Sequence, residues 1–297
     1  MKFQAIELRG TEGSETSDSE IKMSRDYWDS LHREHPGKFT AVGYAALGEG
    51  FNREAYRRLR LPALRRLLRR NRVAPRALLE AGVGIGAYAG LWRELGVREW
   101  VGVDISSRAV AYLRTRFPDG EFHVVDLARP EGALEGRCFD LVAAIDVLYH
   151  IVDDVQFETA LAWLASRVGK HGYLVVSDVF TDSAWGRRSA HVRRRPLEAY
   201  LHILEPRGLH LVDREPVFAI LGDPVPDGRG RGRALFLIWR VLQKSIRMMP
   251  EGLRNTYGAT VVRVFYPLDW LIRSMTDMRG INLELALFAR RASACHR

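Results

Sequence analysis

Short apolar runs alternate with stretches of helical periodicity from residue 77 onwards. The apolar runs are Ala77–Ala81, Trp100–Val103, Phe122–Val125, Leu141–Ile145 and Tyr173–Val176. The helical stretches lie near Gly86–Leu95, Ser107–Phe117, Asp154–Val168 and Pro196–Leu204. Such alternation is typical of parallel strands joined by crossover helices, and strands buried on both faces have continuous apolar sequences. The pattern therefore predicts an α/β protein with helices on both faces of a mostly parallel sheet.

The segments on either side of this core have a different pattern. Residues 24–73 are predicted to form several short helices and are rich in aromatic residues. The arginine-dense part, Asn52–Arg72, is amphipathic, and we expect its helix to be broken near Pro62. A strand candidate, Leu209–Ile220, precedes a loop-like stretch, Gly222–Arg233. Two or three helices follow, around Ala234–Met249, Asn255–Tyr266 and Leu268–Met278, and Leu283–Ala289 reads as a last strand. We therefore expect a helical cap inserted before the last strand.

These patterns divide the chain into five parts. We expect a flexible tail over residues 1–22, a helical cover over 23–73 and a cofactor-binding core over 74–220. The helical cap or lid would span 221–282, and the last strand with a C-terminal tail would span 283–297. The cap could cover a bulky apolar acceptor, form a homodimer interface or touch a membrane surface.

Composition narrows the class of protein. The 297 residues carry 45 basic and 36 acidic side chains, a net charge of +9, and the basic residues are nearly all arginine. Two cysteines cannot build a disulfide framework or a cysteine-rich metal site, and we find no histidine-rich metal motif, so we expect no metal. No apolar run is long enough to span a membrane, and the N-terminus does not resemble a signal peptide, so we expect a cytoplasmic location.

A glycine-rich turn follows the first predicted strand. Residues 77–87 read Ala-Leu-Leu-Glu-Ala-Gly-Val-Gly-Ile-Gly-Ala, so Gly82 and Gly84 allow a tight turn and a close approach of the backbone to a ligand. Ligands of open α/β sheets bind at this edge, next to the free N–H groups of the following helix. The spacing of Gly82, Gly84 and Ala87 also fits the dinucleotide fingerprint, so the turn alone does not identify the cofactor.

Acidic residues recur at the ends of the predicted strands. Glu80 lies two residues before Gly82, and Asp104, Asp126 and Asp146 end the second, third and fourth strands. The acid that ends the second strand can accept hydrogen bonds from ribose hydroxyls, and the acid that ends the third strand can accept one from an adenine amino group. Glu80 could attract an ammonium group. A pyrophosphate would be repelled by so many carboxylates. The charges therefore favour S-adenosylmethionine over a nicotinamide dinucleotide.

Several motifs together resemble the class I S-adenosylmethionine-dependent methyltransferases. They are Leu-Glu-Ala-Gly-Val-Gly-Ile-Gly at 79–86, Val-Gly-Val-Asp-Ile at 101–105, Phe-His-Val-Val-Asp at 122–126, Phe-Asp-Leu-Val at 139–142, Ile-Asp-Val-Leu-Tyr-His-Ile at 145–151 and Gly-Tyr-Leu-Val-Val-Ser-Asp at 172–178. The resemblance covers about residues 27–220. It implies a Rossmann-like sheet of seven mostly parallel strands whose last strand is antiparallel.

The same resemblance implies a set of cofactor-binding residues. Glu80, Gly82, Gly84 and Gly86 would contact the methionine half of the cofactor. The ribose and adenine would be held at the ends of the second and third strands, and the fourth strand would add an acid; these residues are Asp104, Ile105, Asp126, Leu127 and Asp146. Tyr27 and Trp28 resemble an N-terminal aromatic segment that closes over the cofactor, although they could be ordinary core aromatics. Gly86 could instead allow close helix packing, and Asp126 could cap a helix.

Few side chains are suited to act on the acceptor. His150 follows the fourth strand and could serve as a general base, or it could fix the loop by hydrogen bonds. His191 and Arg193 lie in a loop that borders the acceptor in similar proteins. Tyr149 could pack against cofactor or acceptor, and Asp178 could face either the substrate or a neighbouring helix.

The leading hypothesis is methyl transfer from S-adenosylmethionine, which leaves S-adenosylhomocysteine, to a small-molecule acceptor. We expect the acceptor atom to be a hydroxyl of a natural product, lipid or sugar-like compound. Two alternatives stay open at this point. The arginines of 52–72 suggest RNA or DNA methylation, but no nucleic-acid-binding module is recognisable, so nucleic acid is not an expected partner. The fold could also catalyse cyclisation or rearrangement with the cofactor as a scaffold.

Overall fold

A seven-stranded sheet forms the centre of the protein. The computed structural model describes residues 15–130, 132–181, 187–189, 192–226 and 230–290. The strands of the sheet are β1 (Ala77–Ala81), β2 (Glu99–Asp104), β3 (Glu121–Val124), β4 (Phe139–Ala144), β5 (Val168–Asp178), β8 (Leu209–Pro216) and β9 (Glu284–Arg290). Their order is β3-β2-β1-β4-β5-β9-β8. A separate small hairpin, β6 (Arg187–Ser189) and β7 (Val192–Arg193), was not predicted.

Strand β9 runs against its two neighbours. It pairs antiparallel with β5 and with β8, whereas the pairs of β1 with β2, β1 with β4, β2 with β3 and β4 with β5 are parallel. The predicted Rossmann-like sheet, mostly parallel with an antiparallel last strand, is confirmed. The carboxyl ends of β1 to β4 therefore meet at one edge, where the motif residues gather.

The side chains of alternate strand residues belong to two different hydrophobic cores. Leu78 of β1 belongs to the core that contains α3 (Leu61–Arg70) and α4 (Ala89–Glu94), while Leu79 belongs to the opposite core. That second core contains α6 (Asp154–Ser166) and α7 (Leu197–Leu204). Helix α5 (Ser107–Arg116) packs against β2 and β3 in a smaller cluster. Since successive side chains of a strand point to opposite faces, helices cover both faces of the sheet.

The N-terminal cover differs from its predicted form at two points. Helix α1 (Glu15–Glu34) begins inside the segment predicted to be a tail, and residues 1–14 lie outside the described part. Helix α2 (Gly48–Ala55) continues through a π-helical turn, Tyr56–Arg60, into α3. The expected break near Pro62 does not occur, because Pro62 lies in the first turn of α3, where a missing N–H costs little.

The arginines of residues 52–72 mainly bind acids of the same chain. Within the described part of the chain, ion pairs join Arg57 and Arg58 to Glu54, Arg60 to Asp146, Arg65 and Arg69 to Glu94, Arg66 to Glu215, and Arg70 to Asp213 and Glu215. These contacts attach α3 to α4 and to β8. The basic run is therefore largely neutralised by the fold.

Two long helices form the cap. Helix α8 (Gly230–Met248) begins inside the predicted loop, and α9 (Glu251–Met275) packs along α2. Pro267 lies inside α9 and does not end it. The carboxylate of Asp269, fully buried, accepts hydrogen bonds from the N–H groups of 219–221 at 2.9, 2.9 and 3.0 Å. Strand β8 therefore ends at Pro216, earlier than predicted, because the backbone beyond it turns to meet Asp269.

Candidate functional site

A cavity of about 570 Å³ lies at the carboxyl edge of the parallel strands. Its walls are the turn after β1, the segments that follow β2, β3 and β4, and the N-terminal cover. The lining contains most of the residues that the sequence points to, namely Tyr27, Trp28, Glu80, Gly82, Gly84, Asp104, Ile105, Asp126, Leu127, Asp146 and His150. The volume lies in the range of small-molecule sites.

The turn between β1 and α4 presents bare backbone to the cavity. Gly82 and Gly84 have φ angles of +67° and +54°, where a side chain would be strained. A Cβ atom on Gly82 would also lie 2.1 Å from Val147 Cγ2, and one on Gly84 would lie 2.7 Å from Val42 Cγ1. Both positions therefore require glycine for space as well as for conformation.

Glu80 is a buried acidic residue that forms no ion pair with any described cation. It is 4% exposed, and its Oε2 accepts hydrogen bonds from Trp92 Nε1 at 2.8 Å and Trp100 Nε1 at 3.0 Å. Burial raises the pKa of Glu80 to about 8, against the opposing effect of the two indole donors; the nearby charge of Asp104 raises it further. A cationic group of a ligand would stabilise the ionised form, so this corner of the cavity suits an ammonium group.

Asp104 holds the turn after β1 and the start of α5 together. Its Oδ2 accepts from the Gly84 N–H at 2.9 Å, and its Oδ1 accepts from the Ser106 N–H at 2.9 Å. Burial raises the pKa of Asp104. His32 of α1 is buried beside it, and burial lowers the pKa of His32 even though Asp104 and Asp29 attract a proton to it. His32 lines the cavity next to Asp104 and could form a hydrogen bond with a hydroxyl-bearing ligand there.

The cover closes the cavity with aromatic rings. The ring centroids of Tyr27 and Trp28 lie 5.2 Å apart, and those of Trp28 and His150 lie 5.0 Å apart in an edge-to-face arrangement. On the same helix, Asp29 Oδ1 accepts from Ser106 Oγ at 2.5 Å. Helix α1 thus contacts the segment after β2 through a hydrogen bond and the segment after β4 through edge-to-face aromatic rings.

Asp146 is held in a strained conformation by a dense set of contacts. Its φ angle is +61°, which is unusual for a residue other than glycine. Arg60 donates to its Oδ2, Tyr149 Oη donates to its Oδ1 at 3.1 Å, and its own N–H donates to Ser177 Oγ at 2.7 Å. The Arg60 guanidinium also lies over the Phe218 ring, 5.1 Å from its centroid. The Arg60–Asp146 pair therefore forms a fixed part of the cavity wall.

The other sequence-predicted residues lie elsewhere. Gly86 is not among the described residues that line the cavity; a Cβ there would lie 2.5 Å from Phe117, so Gly86 allows close helix packing. Tyr149, Asp178 and Arg193 are also absent from this lining. Asp178 is fully buried, with burial raising its pKa to about 6, and it accepts from Tyr200 Oη at 2.8 Å. Arg193 pairs with Asp154 at 2.5 Å. His191 lies outside the described residues.

Sequence reasoning missed several residues of the cover that line the cavity. They are His32, Phe39, Val42, Asn52, Tyr56 and Arg60, together with Tyr88 of the turn. His32 follows Trp28 by four residues on one helix, so helical spacing could have found it. Tyr56 and Arg60 both belong to the π-helical turn, and such turns are frequent at functional sites. Nothing in the sequence distinguishes Arg60 from its neighbouring arginines.

Comparison with known proteins decides between the two cofactors that the glycine turn allows. The model of a family described as a methyltransferase domain matches residues 51–214, more than half of the chain. The chain belongs to this methyltransferase family. It is a class I S-adenosylmethionine-dependent methyltransferase, as the motifs predict, and S-adenosylmethionine is the cofactor of the family. No curated protein matches the sequence.

Solved structures share the fold of the methyltransferase at low sequence identity. The N-methyltransferase NodS from Bradyrhizobium japonicum, in complex with S-adenosylhomocysteine, is 18% identical with a TM-score of 0.50; the match covers 89% of this chain and 98% of NodS. A 1,6-didemethyltoxoflavin-N1-methyltransferase from Burkholderia thailandensis is 15% identical with a TM-score of 0.51, and the match covers 96% of this chain and 93% of that protein. Magnesium protoporphyrin IX methyltransferase from Synechocystis is 18% identical with a TM-score of 0.50, and the match covers 66% of this chain and 88% of that protein.

The cavity of the methyltransferase fits a zwitterionic cofactor with a nucleoside. Glu80 can meet an ammonium group, and Arg60 is the one arginine or lysine among the described residues that line the cavity. Because Gly82 and Gly84 have no side chains, the ligand has room to approach the protein backbone of this turn. Asp104 keeps further acceptor capacity after its two backbone contacts. None of the helices in the described part combines the length and apolar character needed to cross a bilayer.

The contact between Asp29 and Ser106 gives a first test of the cover. Replacing Asp29 with Ala is expected to weaken binding of S-adenosylmethionine about fivefold, because roughly 1 kcal/mol of hydrogen bonding that holds α1 over the site is lost. Titration calorimetry measures this change. Asp26→Ala is the matched control, since Asp26 is exposed on the same helix. Equal affinities of the two variants would show that α1 is not held by Asp29.

Proposed function

We propose that this methyltransferase moves a methyl group from S-adenosylmethionine to a hydroxyl of a small-molecule acceptor. The observation that carries the proposal is the cavity at the strand edge, which is lined by the buried carboxyl group of Glu80 and by aromatic rings of the N-terminal cover. S-adenosylmethionine supplies an activated methyl group on a sulfonium, so the protein mainly has to hold and orient the reactants.

The residues that would hold the cofactor follow the order of the strands. Glu80, Gly82 and Gly84 would hold the methionine half, with Arg60 near its carboxylate. Asp104 and Ile105 would contact the ribose, and Asp126 and Leu127 the adenine. Tyr27 and Trp28 would close over the nucleoside, and Asp146 would act through Arg60, which it orients. This assignment rests on the family motifs and on the lining of the cavity.

His150 is the proposed general base. It lines the cavity just after β4, next to Asp146, and its ring is positioned by Trp28 and by Tyr149, whose centroid lies 4.5 Å away. An imidazole titrates near neutral pH, so a ring nitrogen can accept the proton of the acceptor hydroxyl as the oxygen attacks. His32, the other histidine of the lining, lies beside Asp104 and is better placed to contact the cofactor.

The acceptor is proposed to be a compact molecule with an apolar or aromatic body. The rings of Phe39, Tyr56, Tyr88 and Trp28 line the cavity, and the centroids of Phe39 and Tyr56 lie 4.9 Å apart. Such walls favour flat or apolar groups, with the polar residues orienting them. Natural products and lipids with a hydroxyl fit this description better than sugars. Two of the structural neighbours carry names of small-molecule methyltransferases, which supports the class.

Nucleic acid is a poorer candidate substrate. The arginine-rich segment that suggested it is engaged by Glu54, Glu94, Glu215 and other acids of the chain. Arginines already paired within the fold release few counterions on binding a phosphate backbone. The +9 charge of the chain therefore gives little support to this alternative.

The proposal is tested by cofactor binding followed by product analysis. Calorimetry should show binding of S-adenosylmethionine and none of NADH at the same concentration. With hydroxylated aromatic and lipid acceptors, S-adenosylhomocysteine and a methylated product should accumulate together. His150→Phe keeps the ring against Trp28 and is expected to lower turnover at least tenfold with unchanged cofactor affinity. Conversion of an acceptor without S-adenosylhomocysteine would instead indicate a non-methylating reaction.

A further inference from the structure

Exposed apolar side chains are concentrated on the cap. Among the described residues, fourteen large hydrophobic side chains are exposed, and ten of them belong to α8 or α9. They are Leu237, Ile238, Val241, Met248, Leu253, Val264, Leu268, Trp270, Leu271 and Met275. Exposed apolar side chains concentrated on two helices mark an interaction site more often than scattered single residues do.

Helix α8 carries three distinct stripes. Leu235, Trp239, Leu242 and Ile246 recur at helical spacing and are buried against the rest of the protein. On the opposite side, Leu237, Val241 and Met248 form an apolar stripe and are 64%, 68% and 70% exposed. Beside that stripe, at spacings of seven, four and three residues, lie the exposed cations Arg233, Arg240, Lys244 and Arg247. The outward surface of α8 is therefore itself amphipathic.

The basic stripe has no anionic partner in the described part of the chain. Arg233, Arg240, Lys244 and Arg247 form no ion pair with any described acid, in contrast to the arginines of α3. The sequence of α8 contains no Asp or Glu at all. Four unneutralised cations along an apolar stripe are the arrangement by which interfacial helices bind an anionic membrane surface.

Helix α9 carries an exposed apolar stripe of its own. Leu253, Val264, Leu268, Leu271 and Met275 are exposed and lie within about 80° of one another around the helix at 100° per residue. The cations of α9 contact other groups of the fold: Arg263 pairs with Glu54, Arg273 pairs with Asp269, and Arg254 donates to the carbonyl oxygen of Met249. Helix α9 therefore adds apolar contact area, and α8 supplies the charge.

We propose that the outward surface of α8, continued by the apolar stripe of α9, binds the surface of an anionic lipid bilayer. A second copy of the chain is a poorer occupant, because its α8 offers no acid to the basic stripe. A nucleic acid would use the cations and leave the exposed apolar stripe in water. An anionic bilayer satisfies both stripes at once, with phosphate headgroups beside the cations and acyl chains against Leu237 and Val241.

The inner face of α8 contacts the N-terminal cover. Trp239, on the inner face of α8, packs against Tyr44 of the cover, with ring centroids 5.7 Å apart. Docking on α8 would thus bring the cover close to the bilayer without any contact between lipid and cofactor.

Vesicle sedimentation with the full chain tests the proposal. Vesicles of phosphatidylcholine alone are compared with vesicles of phosphatidylcholine and phosphatidylglycerol in a two-to-one ratio. We expect sedimentation with the anionic vesicles only, and a loss of binding at high salt. Leu237→Gln/Val241→Gln and Arg240→Gln/Lys244→Gln should each reduce partitioning at least tenfold, since each cation near such a surface contributes about fivefold. All four side chains are exposed, so the fold should be unaffected.

Matched substitutions elsewhere on the surface are the controls. Val155→Gln/Arg98→Gln changes an exposed valine and an exposed arginine outside the cap and should leave partitioning within twofold. The proposal is overturned if the wild type does not sediment, or if the control loses binding equally. It is also overturned if light scattering shows a dimer that only Leu237→Gln/Val241→Gln dissociates, without vesicle binding. Binding of an RNA oligonucleotide that depends on the cations but not on the apolar pair would indicate nucleic acid instead.

Discussion

Replacing Glu80 with Gln is expected to weaken binding of S-adenosylmethionine roughly 50-fold at pH 8. The reason is the position of Glu80, which is buried in the cavity wall and forms no ion pair within the described part of the chain. Its Oε2 accepts from both indoles, and the amide oxygen of Gln can accept from both in the same way. The substitution therefore removes the charge that a ligand ammonium would meet while the local geometry is kept.

The effect of Glu80→Gln on affinity should depend on pH. The pKa of Glu80 is raised to about 8, chiefly by burial, so most of the unliganded protein is protonated at pH 6. A cationic ligand must then displace that proton, and the advantage of wild type over variant should shrink more than tenfold between pH 8 and pH 6. Calorimetry at the two pH values gives this ratio, and buffer-dependent enthalpies report the proton released by the wild type alone.

The same substitution should have the opposite effect on stability. Glu80 binds a proton in the folded state up to about pH 8 but in the unfolded state only up to about pH 4.5, so the folded protein becomes less stable as the pH rises through this window. The stability advantage of Glu80→Gln should therefore grow by about 3 kcal/mol between pH 5 and pH 8, measured by urea unfolding. Glu158→Gln, at an exposed position on α6, is the control. A variant that binds the cofactor as tightly as wild type at pH 8 would exclude Glu80 as the ammonium partner.

The motifs of the parallel sheet were predictable because burial on both faces leaves a clear sequence pattern. The five apolar runs mark β1 to β5, and the acids and glycines at their ends lie at one edge because parallel strands share their direction. Residues such as Gly82 and Asp104 therefore lie in the cavity lining, as the motif spacing indicates. Local pattern and tertiary structure agree in this part of the chain.

Positions decided by distant contacts were not predictable in the same way. Asp178 ends β5, and the sequence allows it to face either the substrate or a neighbouring helix; Tyr200 of α7, 22 residues later, donates to it inside the core. Arg60 resembles every other arginine in its segment, and its partner Asp146 is 86 residues away. The π-helical turn that directs Arg60 into the cavity has no recognisable sequence signal. Tertiary packing, rather than local propensity, decides these positions.

The Arg60–Asp146 ion pair is expected to contribute strongly to the stability of the fold. Replacing Arg60 with Met is expected to lower the free energy of unfolding by about 3 kcal/mol, because a largely buried carboxylate loses its cation. The two side chains are only 18% and 19% exposed. Urea unfolding measures the loss. Arg65→Met is the matched control, since the Arg65–Glu94 pair is more exposed, at 34% and 31%, and should contribute no more than about 1 kcal/mol.

A double-mutant cycle separates the structural role of this pair from its role in binding. Asp146→Asn should also destabilise the protein, because it leaves Arg60 unpaired, yet asparagine tolerates the positive φ at that position. The double variant Arg60→Met/Asp146→Asn, which leaves neither charge unpaired, should recover at least half of the lost stability. Two single variants whose losses simply add in the double variant would show that the ion pair does not stabilise the fold.

Cofactor affinity should follow Arg60 and not the intact pair. Arg60 can meet the carboxylate of S-adenosylmethionine, so Arg60→Met should weaken binding at least tenfold, whereas Asp146→Asn leaves the guanidinium in place and should keep the affinity within about threefold. The double variant should regain stability while its affinity stays low. Two of the carboxylates that line this cavity are then expected to differ for one physical reason: Glu80 forms no ion pair with a described cation and could meet the ammonium of the ligand, whereas Asp146 is paired with Arg60. Tight binding by Arg60→Met would show that Arg60 does not bind the carboxylate of the ligand. Backbone N–H groups of the glycine turn would then be the expected donors to that carboxylate.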